Sequence, residues 1–134
     1  MRNFYILFFA GILLTACNKE QRTVNKLSGL WEVRSATITN FGEVDSEQQF
    51  EFEKCRIRKN NYCDFTLVDR DNNEITYGTY LINDEGNEVT MVFTEGLTVT
   101  THTFIIDKVN WRKLILTNKY PNPGTFERFE LRSI

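Results

Sequence analysis

Short runs rich in β-branched and aromatic residues alternate with clusters of Asn, Asp, Glu and Gly along most of the chain. Within these runs apolar and polar residues often alternate, as where Phe50 and Phe52 interleave with Glu51 and Glu53. This alternation is typical of half-buried strands, and no helical period is sustained from residue 27 onward. The pattern predicts eight strands, over residues 29–39, 49–58, 62–69, 74–82, 88–94, 98–106, 110–117 and 125–132.

The connections between the predicted strands are short, so neighbouring strands must run antiparallel, because a parallel crossover needs about a dozen residues or more. An antiparallel meander of this size either closes on itself or exposes two edges, and closure removes the edges. We therefore expect an all-β domain over residues 27–134, folded as an eight-stranded antiparallel up-and-down β-barrel. In the fourth predicted strand both faces are apolar, so the sequence leaves open which face is inside.

The chain begins with a different pattern. A basic start is followed by an apolar run from Phe4 to Leu14. This run is too short to span a bilayer as a helix, which needs about 20 residues, but it fits the apolar region of a secretory signal. It ends in Leu14-Thr15-Ala16-Cys17, which resembles the lipobox of bacterial lipoproteins, where the Cys becomes the first mature residue and is lipid-modified.

The lipobox resemblance implies a signal peptide over residues 1–16 and an acylated Cys17 inserted into the lipid bilayer of the cell envelope, on the periplasmic or surface face of the outer membrane. More than one acyl chain holds a protein stably at a bilayer. An ordinary signal cut after Ala16, leaving Cys17 as a free thiol, is the alternative. The polar residues that follow, within 17–26, predict a flexible tether.

Charge narrows the range of partners. Lys plus Arg number 16 and Asp plus Glu number 18, for a formal net charge of −2. Such a weakly acidic chain lacks the overall basic field that would attract nucleic acid or an anionic membrane surface. We expect no nucleic-acid partner, and we expect a monomer.

The sequence Lys26-Leu27-Ser28-Gly29-Leu30-Trp31 leads into the first predicted strand, and it resembles the G-x-W opening motif of the lipocalins and wider calycins. In that family the Trp plugs the closed end of the barrel, and an Arg from the last strand packs over its ring. The resemblance therefore implies a plug made by Gly29 and Trp31, with Arg128 or Arg132 as the cation. The whole pattern is similar to small lipocalin-like lipoproteins of Bacteroidota. A strand with a buried Trp and no such kinship is the alternative.

Cys55 and Cys63 flank a predicted hairpin turn. Residues so placed lie opposite each other on neighbouring strands, within the separation that a disulfide needs, and disulfides persist outside the cytoplasm. We expect a structural disulfide. A redox-active or metal-binding pair is the alternative, but neither C-x-x-C spacing nor a neighbouring His supports it.

Candidate chemical residues are few. His102 is the only His, and a metal site or a catalytic base needs partners that the sequence does not indicate. The oxygen-rich run Asp69–Glu74 lacks the pattern of an EF-hand loop and predicts a polar hairpin tip. No nucleophile elbow, P-loop or dinucleotide fingerprint is present. We expect no catalytic residues, no metal, no cofactor and no enzymatic activity.

The aromatic residues are the more useful indication of function. They either fill the barrel or line an apolar pocket at its mouth. We expect the protein to bind a small hydrophobic or amphipathic molecule without catalysis. The candidate lining residues are Phe50, Phe52, Phe65, Tyr80, Met91, Phe93, Phe104 and Phe129.

The alternative function is a rigid scaffold whose loops bind a protein or a glycan, for example as an inhibitor of a hydrolase. Exposed aromatic residues near the open end of the barrel would favour it, with Phe41, Tyr62 and Tyr120 as the candidates.

Overall fold

The computed structural model describes residues 19–56 and 62–134. The predicted signal peptide, Cys17 and the tip of the turn between Cys55 and Cys63 therefore lie outside the described residues. Within these two ranges one helix and nine strands follow each other: α1 (Lys19–Leu27), β1 (Gly29–Ile38), β2 (Gly42–Val44), β3 (Gln48–Phe52), β4 (Cys63–Asp69), β5 (Glu74–Ile82), β6 (Glu88–Glu95), β7 (Thr98–Val109), β8 (Lys113–Asn118) and β9 (Phe126–Ser133).

The strands form one antiparallel sheet that closes on itself. From β3 to β9 each strand pairs with the next along the chain, and β9 pairs back to β1. The register of this last pair runs from Trp31 opposite Ser133 to Ile38 opposite Phe126. The predicted fold, an eight-stranded antiparallel barrel, is therefore confirmed. Its eight strands are β1 and β3 to β9.

Strand β2 is an addition that the sequence did not indicate. It pairs only with the end of β1, through the turn in which Asn40 and Gly42 both adopt positive φ. The strand predicted over residues 49–58 is wrong at its end, because β3 stops at Phe52 and residues 53–56 are irregular.

The segment predicted to be a flexible tether is also wrong within its described part, because residues Lys19–Leu27 form helix α1. Val24 and Leu27 are fully buried against the barrel. A short helix is marginal on its own, so tertiary packing of these apolar residues stabilises it. In the described residues no helix is both long and apolar enough to cross a membrane.

Alternation along the strands places one set of side chains inside the barrel. In β5 the inner face carries Tyr80 and Ile82, whereas Ile75 and Tyr77 are exposed, which settles the face that the sequence left open. The buried residues are mainly large and apolar, and they include Trp31, Val33, Phe50, Phe52, Phe65, Val89, Met91, Phe104, Leu114, Leu116, Phe129 and Leu131.

The predicted disulfide is confirmed. Cys55 and Cys63 are bonded, with their Cα atoms 5.8 Å apart. Cys63 is the first residue of β4 and is buried, and Cys55 packs against the core from the irregular segment after β3. The bond therefore holds this segment to the barrel where the β3–β4 ladder ends.

Replacing both cysteines by serine is expected to lower the free energy of unfolding by about 2.5 kcal/mol, because the bond closes a loop of about nine residues in the unfolded chain. Urea denaturation followed by circular dichroism measures the change. Reduced wild-type protein should unfold at the same urea concentration as the double variant. A difference below about 0.5 kcal/mol would mean that the unfolded chain is already restrained at this turn.

Candidate functional site

The two ends of the barrel differ. At one end, here called the closed end, lie the start of β1, the β5–β6 turn and the β7–β8 turn, together with helix α1. At the other, here called the open end, lie the β1–β2, β4–β5 and β6–β7 turns and the loop between β8 and β9. No helix covers the open end in the described part of the chain.

Helix α1 is fixed to the closed end by hydrogen bonds to three separate segments. The indole Nε1 of Trp31 donates to the Leu27 carbonyl oxygen at 2.8 Å. The Thr23 hydroxyl donates to the Gly86 carbonyl oxygen at 2.8 Å, and the Gln21 amide donates to the Cys55 carbonyl oxygen at 2.9 Å. Trp31 lies beneath the helix and is 3% exposed. Trp31 thus occupies the closed end, as the G-x-W motif implied, but α1 completes the closure.

The expected cation over Trp31 is wrong. Along β9 the inward side chains are those of Phe129 and Leu131, so Arg128 and Arg132 lie on the outer face. Among the described residues neither Arg stacks on Trp31; the Arg that stacks on an indole is Arg112, whose Cζ lies 4.3 Å from the Trp111 ring centre. Strand alternation explains the result, because Trp31 points into the barrel and both arginines point out.

The barrel interior opens into a cavity of about 270 Å³ at the open end. This volume is near the lower end of small-molecule sites, which begin at about 300 Å³. Its apolar wall consists of Phe50, Leu67, Phe93, Phe104, Phe126 and Phe129, and its polar wall consists of Gln48, Glu95, Thr100, His102, Gly124 and Thr125.

The predicted lining residues divide into two groups along the barrel axis. All eight face inward, but only Phe50, Phe93, Phe104 and Phe129 line the cavity. The others fill the closed half as core residues: Phe52, Phe65, Tyr80 and Met91. The sequence predicted the inward face correctly, but it could not indicate how far along the barrel the packing extends.

Edge-to-face packing of aromatic rings explains why the closed half of the barrel has no cavity among its described residues. The rings of Phe52 and Tyr80 meet edge to face, 5.2 Å apart, and Phe65 meets Phe93 in the same way at 5.0 Å. The Tyr80 hydroxyl donates to the Glu53 carbonyl oxygen at 2.7 Å, and burial raises the pKa of this phenol well above its ordinary value. Tyr80 is therefore a satisfied core residue with no free polar group to offer a ligand.

His102 is the cavity residue that sequence reasoning undervalued. Its ring lies between those of Phe93 and Phe104, at centroid distances of 5.8 and 6.3 Å. Neither imidazole nitrogen hydrogen bonds to any described residue, so both are available to a bound molecule or to water. Its position on β7 could have indicated this role. His102 lies two residues before the inward Phe104, and side chains two residues apart on a strand point to the same face.

Gln48 supplies a second polar group in the cavity wall. Its Oε1 atom is buried and has no hydrogen-bond partner among the described residues.

The oxygen-rich run Asp69–Glu74 forms a hairpin tip, as the sequence predicted, because Asp69 Oδ1 accepts from the Asp71 backbone N–H at 3.0 Å. Over residues 19–56 and 62–134, no cluster of His, Cys, Asp and Glu could hold a metal ion.

The cavity has a side opening as well as a mouth. Strand β8 pairs with β7 only from Phe104 onward, and the Lys119 N–H to Thr103 carbonyl bond of 2.9 Å continues that ladder by one step. Residues 98–102 pair with β6 alone, and no backbone hydrogen bond joins them to the described segment 119–125. Thr100 and His102 lie on one side of this gap, and Thr125 lies on the other.

The open end is acidic. Lys119, where the loop between β8 and β9 begins, pairs with Glu88 at the start of β6 at 2.7 Å, so its charge lies away from the open end. The charged residues in its turns and strand ends are Glu43, Asp45, Glu47, Asp69, Asp71, Glu74, Glu95 and Glu127, with Arg70 and Arg128. A mouth with this balance favours neutral or cationic molecules over anionic ones.

The exposed aromatics predicted for the open end are only partly there. Phe41 in the β1–β2 turn is 72% exposed and Tyr120 after β8 is 66% exposed. Tyr62 is exposed too, but it immediately precedes β4 and therefore lies at the closed end, so its predicted place is wrong.

No protein-family model matches this sequence, and no curated protein is similar enough to it to indicate a relationship. The geometry and chemistry of the open end are therefore the main indications of function.

Proposed function

We propose that this protein is a lipid-anchored lipoprotein of the cell envelope whose lipocalin-like barrel binds a small amphipathic molecule, without catalysis. The observation that carries the proposal is the cavity of about 270 Å³ at the open end, where aromatic rings face a few polar groups. Apolar walls with a few polar groups are the usual composition of small-molecule sites. The lipobox-like segment supports the anchor at Cys17.

The cavity wall limits the kind of ligand. Its volume suits a compact molecule, because the closed half of the barrel is filled by packed rings. The free nitrogens of His102 and the hydroxyl of Thr100 can hydrogen bond to a polar head group, while Phe93, Phe104 and Phe129 surround an apolar or aromatic body. The acidic mouth disfavours a carboxylate or phosphate head, so we infer a neutral or cationic one.

Filling the cavity should weaken ligand binding. The probe is N-phenyl-1-naphthylamine, a compact, uncharged aromatic amine whose fluorescence rises in apolar surroundings. Thr100→Trp places an indole at the side opening and is expected to weaken probe binding by at least about tenfold, or about 1.4 kcal/mol. Thr101→Trp is the matched control, because the adjacent side chain on β7 points to the outer face and is exposed.

Equal affinity in wild type, Thr100→Trp and Thr101→Trp would place the probe outside the cavity and would contradict the proposal. Native mass spectrometry of the full-length protein complements the titration. A compact adduct that is present in wild type and absent in Thr100→Trp is the expected result.

A second function is favoured by one observation, the unpaired edge of β7 over residues 98–102 beside the exposed Leu97. An extended segment of a partner protein can add to such an edge through main-chain hydrogen bonds. This observation supports the alternative of a scaffold protein, with the open-end loops as its contact surface.

A further inference from the structure

A second candidate site lies on the outer wall at the closed end, away from the cavity. A surface groove of about 380 Å³ there is lined by Arg34, Arg112, Lys113 and Arg132, with Glu130 and Leu131. The four basic residues are far apart in sequence and come from β1, the β7–β8 turn, β8 and β9. They meet because β8, β9 and β1 are neighbours in the closed sheet.

The groove carries more positive charge than its surroundings neutralise. Glu130 pairs with Lys113 at 2.7 Å and with Arg128 at 3.5 Å, and Glu32 pairs with Arg34 at 3.1 Å. These two carboxylates face five basic side chains. Asp45 and Glu47 border a neighbouring groove that Arg34 also lines, so the surplus of positive charge lies around Arg112, Lys113 and Arg132. The hydrogen bond from Lys113 lowers the pKa of Glu130, which keeps that carboxylate ionised.

Two of the cations form no ion pair with a carboxylate of the described residues. The Arg132 side chain makes no hydrogen bond or ion pair to any described residue, and Arg112 stacks on Trp111 at 4.3 Å instead. Arg132 lies directly opposite Lys113 in the β8–β9 register and directly opposite Glu32 in the β1–β9 register. Like charges directly opposite each other destabilise a sheet, and Glu32 is already paired with Arg34, so a bound anion beside Lys113 and Arg132 would stabilise this part of the sheet.

The local backbone presents these residues outward. Arg34 is the extra residue of a β-bulge in the β1–β9 pairing, and a bulge redirects a side chain. The Asn110 side chain accepts from the backbone N–H groups of Arg112 and Lys113, at 2.9 and 2.8 Å, which fixes the β7–β8 turn. The Ser133 N–H donates to the Arg112 carbonyl at 2.9 Å, which ties that turn to the end of β9.

Exposed apolar groups border the groove. Trp111, at the tip of the β7–β8 turn, is 76% exposed, and Leu30 and Ile134 are exposed where the Ile134 N–H donates to the Leu30 carbonyl. Trp beside Arg and Lys is typical of segments at a membrane interface, where the indole enters the head-group layer and the cations meet anionic lipids. Helix α1 begins at this same end.

We propose that this groove binds the phosphate groups of an anionic lipid surface, with Trp111 entering the head-group layer. The closed end of the barrel then faces the bilayer and the cavity faces away from it. The net charge of −2 does not oppose this orientation, because the surplus of cations is local to the groove and does not depend on the charge of the whole chain.

The test compares full-length wild type with variants on vesicles of phosphatidylcholine alone and of phosphatidylcholine with phosphatidylglycerol. Arg112→Gln with Arg132→Gln is expected to lower partitioning to the anionic vesicles roughly 25-fold, at about fivefold for each charge removed. Partitioning to the neutral vesicles should not change, because the N-terminal segment is the same in both proteins. Arg70→Gln with Lys119→Gln is the matched control, since it removes the same charge outside the groove.

Tryptophan emission gives an independent measurement. Trp31 is buried, so a blue shift on anionic vesicles is expected to come from Trp111 and to disappear in Trp111→Phe. Equal losses in the two charge pairs would overturn the proposal, because net charge alone would then explain the binding. Binding of glycerol phosphate in solution without any preference for anionic vesicles would overturn it too, since the source of phosphate would not be a membrane.

Discussion

Replacing Trp31 with alanine is expected to lower the free energy of unfolding by about 4 kcal/mol, because it removes a large buried aromatic side chain and leaves a cavity. The substitution also removes the 2.8 Å bond to the Leu27 carbonyl oxygen, which fixes the end of helix α1. Val24 and Leu27 of helix α1, which belong to the same buried cluster as Trp31, would then border the space that the indole leaves. Urea denaturation followed by far-ultraviolet circular dichroism measures the change.

Two further variants separate the contributions. Trp31→Phe keeps most of the apolar volume but leaves the buried Leu27 carbonyl without its donor, so we expect a loss of about 1–3 kcal/mol. Trp111→Ala is the control for removing an indole, and its expected loss is below about 0.5 kcal/mol because Trp111 is exposed. Equal losses for Trp31→Ala and Trp111→Ala would mean that the closed end does not depend on Trp31.

Gly78→Ala is expected to destabilise the barrel by about 3 kcal/mol, although Gly to Ala in a strand usually stabilises by about 0.5–1 kcal/mol. Gly78 occupies an inward position of β5, directly opposite Phe65 and Phe93 on the neighbouring strands. A Cβ atom there would collide with the Val92 carbonyl oxygen and with the Phe65 ring. Because one obstacle is backbone, the strands themselves must separate.

Thermal unfolding of Gly78→Ala should be compared with that of Thr79→Ala, which alters the next residue on the outer face of β5. We expect the control to change stability by less than about 1 kcal/mol. Adding Phe65→Leu to Gly78→Ala removes the ring but leaves the Val92 carbonyl in place, so it should restore only part of the loss. Full restoration would show that the strands can accommodate the methyl group without moving.

The strands could be predicted closely where the information is local. The predicted bounds of β4, β5 and β6 agree with the structure to within one residue, because turn-forming residues flank each alternating run. Helix α1 could not be predicted in this way. It has two buried apolar residues in nine, and it depends on packing against strands that lie elsewhere in the chain.

The two candidate sites could also be predicted only in part, because each depends on packing or strand pairing that the sequence does not show. Alternation placed the aromatic rings inside the barrel, but it could not show that Phe52 and Tyr80 pack solidly while Phe93 and Phe126 border a cavity. The basic groove was hidden by a net charge near zero. Arg34, Lys113 and Arg132 lie far apart in the sequence, and only the closure of the sheet brings them to one patch.

The pairing of β1 with β9 also affects when the protein can fold during its synthesis. Trp31 lies opposite Ser133, so the ribosome must release almost the whole described chain before this seam can form. Contacts between residues so distant in sequence carry a large loop-closure entropy, and folds dominated by them form slowly. Until β9 is available, the inward aromatic face stays accessible to chaperones. A chain exported as the proposed lipoprotein would therefore remain threadable through a translocation channel, and the barrel would close only on the far side.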